Sequence, residues 1–247
     1  MIEFKDLTLD YGRGELLSHV NGYIKDGETT ALIGRNGSGK STLLRAIATL
    51  NKRYSGTITV SGVDIRYIKP CRMARLLAFV NTERIRIPDL TSLQVTAMGR
   101  APMTDWLGRL TDEDRNAAYD ALKAVGMESY ADREMGTMSD GECQRIMIAR
   151  AIAQDTPAIL LDEPTSFLDL PNRYELVALL KNLAHNKGKC IMFSTHELDI
   201  ALKTCDRIAL IDNGTLHILT PAELIESRLL NNLFSTSTIS ISEILGI

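Results

Sequence analysis

The segment TTALIGRNGSGKSTLL, residues 29–44, leaves few folds open to this chain. A short apolar run at 29–33 ends in glycine, residues 34–42 match G-x-x-x-x-G-K-[ST], and helical spacing follows over 41–50. Strand, glycine loop and helix in that order form the context in which this motif cradles phosphate. The glycines let successive backbone N–H groups turn inward around phosphate oxygens, and the helix N-terminus adds partial positive charge. Lys40 then reaches the β and γ phosphates of a nucleotide, and Ser41 ligates Mg²⁺. The candidate nucleotide ligands are Gly34, Arg35, Asn36, Gly37, Ser38, Gly39, Lys40, Ser41 and Thr42. A mere glycine-rich turn would match by chance in roughly one such chain per hundred.

Strands and helices alternate around this loop. Residues 2–11 alternate apolar and polar, 56–63 return to a strand pattern that ends at a turn, and 158–161, 190–195 and 208–211 are apolar runs separated by helices. An Asn213-Gly214 hairpin turn and a helix start at Thr220-Pro221 follow. Between 91 and 153 the reading is mostly helical. There Thr111 caps, Asp114 sits three residues on, Ala118, Ala121, Leu122 and Val125 share a face, and Gly126 ends the helix. The alternation predicts an α/β fold, a largely parallel sheet between helices with a helical insertion. There is no internal repeat, low-complexity tract or linker.

A second acidic element supports the phosphate loop. AILLDEPTSFLD sets Asp162 and Glu163 just beyond an apolar strand, and strand ends are where open α/β sheets build their sites. Asp162 suits a second Mg²⁺ contact, and Glu163 suits removal of a proton from the water that attacks the γ phosphate. A solvated acid pair before Pro164 is the plainer alternative, and the phosphate loop in the same chain weighs against it. The net charge of −3 removes any case for a nucleic-acid partner held by a basic surface. The cysteines at 71, 143, 190 and 205 form no CxxC pair and read as reduced core residues of a cytosolic protein. The N-terminus reads as a strand, not a leader, and no apolar run approaches the roughly 18 residues that span a bilayer. Work at a membrane would require spanning helices from another chain.

Taken in order, GRNGSGKST, MSDGECQR, ILLDEPTSFLD and FSTHE resemble the ATP-binding-cassette (ABC) ATPases of membrane transporters, over nearly the whole chain. VTAMGRAPMTDW, residues 95–106, is similar to a segment of the subunits that power uptake of iron chelates, haem and cobalamin. The resemblance implies a P-loop NTPase cassette in a single domain. Its RecA-like core and antiparallel β subdomain would span about 1–88 and 154–225, its helical subdomain about 89–153, and a C-terminal extension about 226–247. It implies a homodimer holding two MgATP head to tail, integral-membrane permease subunits, a separate solute-binding protein, and a peripheral place on the cytoplasmic face of the cell membrane. A soluble cassette ATPase of a cluster-assembly or other protein machine is the alternative. A single phosphate loop, no long heptad segment and no basic patch argue against its common forms. A binding-only regulatory subunit is a third reading, against which Lys40, Asp162, Glu163 and His196 weigh.

The resemblance also implies residue roles. Tyr11 would stack on adenine, although a strand tyrosine needs no such role; His196 would contact the γ phosphate and steady the attacking water. Ser166, Leu168 and Asp169 match a segment that passes information between subunits, and Asp169 equally suits a helix N-cap before Pro171. Two places depart from the family pattern. Thr82 stands where a glutamine normally touches Mg²⁺, and its shorter side chain would act through a bridging water, with Glu83 beside it as a second candidate. The usual L-S-G-G-Q reads Met138-Ser139-Asp140-Gly141-Glu142, keeping the serine hydroxyl and one glycine that would face the partner's γ phosphate. An Asp140 carboxylate about 4 Å from that phosphate would cost on the order of 1 to 4 kcal/mol per unit charge, so the side chain is expected to point away. Ser139-x-x-Glu142 also reads as a capping box, adding a structural role to the signature's nucleotide contacts at Ser139, Gly141 and Glu142.

Overall fold

A computed structural model describes residues 1–10, 14–83, 85–227 and 229–230. The first half runs β1 (Ile2–Asp10), β2 (Glu15–Ile24), β3 (Thr29–Gly34), α1 (Lys40–Ile47), β4 (Tyr54–Val60), β5 (Val63–Asp64), α2 (Pro70–Met73) and β6 (Leu77–Val80). Three helices follow: α3 (Ser92–Ala97), α4 (Asp112–Ala124) and α5 (Asp140–Ala153). The chain then alternates through β7 (Ala158–Leu161), α6 (Leu170–Lys187), β8 (Cys190–Ser194), α7 (Leu198–Thr204), β9 (Arg207–Asp212), β10 (Thr215–Leu219) and α8 (Pro221–Glu226).

Two sheets form. Four antiparallel strands take the order β2-β1-β4-β5. Six strands take the order β10-β9-β3-β8-β7-β6, parallel except for the β9–β10 hairpin. In β1 the pairing slips between Phe4 and Leu7, so that Ile2, Phe4, Leu7 and Leu9 all remain buried despite the broken alternation. The parallel sheet is buried on both faces, as parallel strands require. Ala31, Ile33, Ile159, Leu161, Ile191 and Phe193 face one core, shared with α4, α5 and α6. Leu32, Leu160 and Met192 face the other, filled by α1 and the antiparallel sheet.

Element bounds differ from the expectations in physically simple ways. The helix expected over 41–50 spans Lys40–Ile47, because Ala48 caps it and Thr49 turns to φ 63. The strand expected over 56–63 starts at Tyr54 and stops at Val60, where Ser61 and Gly62, both at positive φ, turn the chain into β5. β2 was not expected at all. Cys143, Cys190 and Cys205 are buried, but Cys71 is exposed on the short helix α2, which corrects its reading as a core residue. The C-terminal extension expected over about 226–247 falls largely outside the described residues.

Candidate nucleotide site

The register of the parallel sheet sets the site. Leu32 pairs with Ser194, Leu161 with Phe193, and Val80 with Leu161, so the carboxyl ends of β3, β8, β7 and β6 share one edge. The phosphate loop leaves β3 there, Asp162 and Glu163 leave β7, His196 follows β8, and Thr82 follows β6. The loop is tight at its start. A Cβ on Gly34 would lie 2.7 Å from Ser38 Oγ and 3.0 Å from the Ile211 carbonyl oxygen, so no larger residue fits without displacing backbone. Ser38 Oγ is itself buried without a partner among the described residues. Lys40 begins α1 and is only 6% exposed; its Nζ donates to the carbonyls of Gly34 (2.9 Å) and Arg35 (3.3 Å). Burial pushes the Lys40 ammonium below its ordinary pKa, and the nearby Glu163 and Asp162 carboxylates act in the opposite direction.

Asp162 is 1% exposed, and its two oxygens have different surroundings. Oδ1 accepts from Ser41 Oγ (3.0 Å) and Ser194 Oγ (2.7 Å), whereas Oδ2 is buried with no partner among the described residues. Ser194 also accepts from the Glu163 N–H at 2.8 Å, so one hydroxyl at the end of β8 fixes both acids. Sequence reasoning missed it, because a serine closing an apolar run gives no signal of partners that lie 32 and 31 residues away. Glu163 adopts φ 48, a left-handed conformation that costs a non-glycine residue energy and that tends to persist at functional sites. Ser166 Oγ donates to its Oε2 at 3.0 Å. His196 is exposed and lines, with Gly34, Arg35, Asn36, Thr195 and Leu198, a cleft of about 360 Å³ above the phosphate loop.

The segment after Glu163 is tied down on several sides. Asp169 caps α6 through the Asn172 N–H (3.1 Å), and Arg173 Nε donates to the Leu168 carbonyl (2.7 Å). The same guanidinium meets Glu197, next to His196, at 2.6 Å. Thr82 is half-buried and makes no hydrogen bond to a described residue; Glu83 is exposed and pairs with Arg45 at 3.7 Å. Tyr11 lies outside the described residues.

The signature residues stand apart from this edge cluster, at the start of α5. Ser139 and Glu142 form the expected reciprocal box: Ser139 N–H donates to Glu142 Oε2 (2.7 Å), and Glu142 N–H donates to Ser139 Oγ (3.3 Å). The hydrogen bond from the Ser139 N–H holds the Glu142 carboxyl below its ordinary pKa, with help from Arg133 at 3.4 Å. Asp140 points toward Arg86, 2.9 Å away. Gly141 has a structural reason of its own, since a Cβ there would sit 2.9 Å from the Phe167 carbonyl oxygen.

A twisted α/β sheet with this loop, these acids and a helical signature defines a nucleotide-binding cassette. The sequence profile of the ABC transporter family matches residues 17–166, and the chain belongs to that family. The petrobactin import ATP-binding protein FpuD of Bacillus anthracis is 36% identical over 234 residues, 94% of this chain and 86% of the relative. The cobalamin import ATP-binding protein BtuD of Halobacterium salinarum is 33% identical over 216 residues, 87% of this chain and 54% of the relative. Among solved structures, a dimeric ATP-binding cassette in a post-hydrolysis state bound to ADP and phosphate superimposes with a TM-score of 0.78 at 30% identity, covering 90% of this chain and 99% of the other. The cassette fold and its ATPase character therefore hold for this chain. No described helix is long and apolar enough to cross a membrane.

Proposed function

We propose that this chain is the ATP-hydrolysing subunit of an importer for an iron siderophore, haem or cobalamin. Two copies hold two MgATP head to tail on the cytoplasmic face of the membrane and drive integral-membrane permease subunits supplied by a separate solute-binding protein. The observation that carries this reading is the Asp162 carboxylate, with one oxygen held by Ser41 and Ser194 and the other buried without a partner among the described residues, beside Lys40 and Glu163. The names of the relatives above support the import role.

The residues fit a magnesium ion. A hydroxyl and one carboxylate, with substrate phosphates completing the shell, are the donor set Mg²⁺ takes in such sites. Ser41 and Asp162 would hold it, and Thr82 would contribute through water; when bound, Mg²⁺ neutralises charge on the β and γ phosphates. Lys40 exchanges its two carbonyl acceptors for phosphate oxygens, a low-cost trade because the side chain is already placed. Gly34, Arg35, Asn36, Gly37, Ser38, Gly39 and Thr42 wrap the phosphates, and Tyr11 stacks on the base. Glu163 takes a proton from water as its oxygen bonds to the γ phosphorus and the bridging oxygen leaves with ADP. His196 steadies that water, while the partner's Ser139, Gly141 and Glu142 close the site. The helical subdomain, about 89–153, carries the closing motion to the permease.

Glu163→Gln is the direct test: it should trap an ATP-dependent dimer and cut turnover at least about 100-fold. Undiminished hydrolysis would remove Glu163 as the base. Purification from detergent-solubilised membranes should recover a polytopic permease; recovery of soluble proteins alone would favour the cluster-assembly alternative.

A further inference from the structure

The two acids that flank Gly141 each have an arginine from outside the helix. Arg133 meets Glu142 at 3.4 Å and anchors itself on the Thr137 carbonyl at 2.9 Å. Arg86, on the segment that follows β6, meets Asp140 Oδ1 at 2.9 Å. Glu142 is spoken for by the cap it makes with Ser139, but Asp140 occupies a position where the family's usual signature has glycine. Its charge lies at the first residue of α5, beside the Ser139 hydroxyl. Any anion approaching that helix mouth meets Asp140 unless something turns and neutralises it.

We propose that Arg86 is a positioning residue that holds the Asp140 carboxylate aside and cancels its charge, so that an acidic signature can receive the γ phosphate of the partner's nucleotide. The inference rests on the dimeric ATPase reading above. Three features favour it over an incidental surface pair. The contact crosses between two separate elements, 54 residues apart, rather than joining helix neighbours. The Asp140 side chain is only 28% exposed, with Ile85, Cys143, Gln144, Met147 and Phe167 lining the small cavity beside it, so the carboxylate is partly shielded although the Arg86 side chain is 54% exposed. Finally, Phe167 belongs to the segment that packs on Gly141, so the pair borders the surface from which the signature is presented. The arrangement also ties the signature helix to the stretch beginning at Thr82, whose own side chain makes no bond to a described residue.

The test uses charge removal and rescue. The ATP concentration that half-dimerises the Glu163→Gln protein, and the KM for hydrolysis by otherwise native protein, would be measured for Arg86→Ala, Asp140→Gly and the double substitution. Arg86→Ala should raise both values at least about fivefold at low salt, because a carboxylate no longer held by Arg86 turns toward and repels phosphate, and the defect should shrink as salt rises. Arg86→Lys should recover most of the loss. Asp140→Gly should not raise either value, and the double substitution should match Asp140→Gly. A double variant as impaired as Arg86→Ala would overturn the inference, since Arg86 would then act on nucleotide or fold directly; so would an Arg86→Ala protein with native values at low salt. Binding of a fluorescent ATP analogue to monomer separates the two levels of the argument. Native protein that binds it but neither dimerises nor hydrolyses ATP overturns the dimeric reading and this inference together, whereas native function without rescue overturns the inference alone.

Discussion

Ser194 has no proposed chemistry on a nucleotide, yet it sets the two acids for which such chemistry is proposed. Its hydroxyl donates to Asp162 and accepts from the Glu163 N–H, the residue held at φ 48. Ser194→Ala should lower kcat about tenfold with a smaller change in KM for ATP, and should cost about 1 to 3 kcal/mol in urea denaturation because a buried N–H loses its acceptor. An unaltered kcat would show that the strained turn keeps Glu163 in place by itself. Gly141 offers a second case. Alanine there would gain helix propensity of up to about 1 kcal/mol but would press on the Phe167 carbonyl at 2.9 Å. Overpacking against backbone typically costs about 1 to 3 kcal/mol. The expected balance is a loss of about 1 kcal/mol in the unfolding free energy read from urea denaturation, together with weaker ATP-dependent dimerisation. The residues that the sequence singled out lie inside contiguous motifs, such as Lys40 in GRNGSGKST or the Asp162-Glu163 pair. Ser194, Arg86 and Arg173 escaped because each acts across the fold, through partners that no local spacing announces.

The start of α5 illustrates what an element adds. Its capping box, Ser139 with Glu142, was readable from four residues, as was that of α4 (Thr111 with Asp114); at α8 the sequence marked only the start at Thr220-Pro221, and the structure adds the box with Glu223. Ser139→Ala should cost about 1 kcal/mol in thermal or chemical denaturation, a typical N-cap loss. The pH dependence follows from Glu142. Its folded pKa lies below the ordinary 4.5, so its contribution is complete above that value and is lost as pH falls through the folded one. In urea titrations across the acid range, Glu142→Gln should remove that part of the slope; an identical slope would mean the carboxylate is not titrating against the cap. Strands were legible where both faces are buried, since β3 and β7 are unbroken apolar runs. β2 was not: ELLSHVNGYI buries only Leu17, Val20 and Ile24, at spacings no single period describes, because its pairing with β1 slips register three times. Four-residue β6 is too short to stand out from its surroundings except through its place in the motif series.

At the scale of the whole molecule, one sheet divides two cores. Phe193 faces the helical side and Leu160 the side of α1 and the antiparallel sheet, both fully buried. Phe193→Ala should cost about 3 to 5 kcal/mol and Leu160→Ala about 2 to 5 kcal/mol. Each should lower a single unfolding transition followed by far-UV circular dichroism, because neither core survives loss of the strand ladder they share. Separate transitions would show that the antiparallel layer melts on its own. The segment 166–168 reaches across these boundaries. Ser166 grips Glu163, the Phe167 carbonyl crowds any side chain at 141, and Arg173 holds the Leu168 carbonyl while meeting Glu197 beside His196. A stretch so tethered joins the acid, the signature helix and the turn beside His196. On the proposed dimeric reading, a shift of Glu163 after turnover would be felt at the helix mouth facing the opposite nucleotide, and two chemically separate clocks would keep one time.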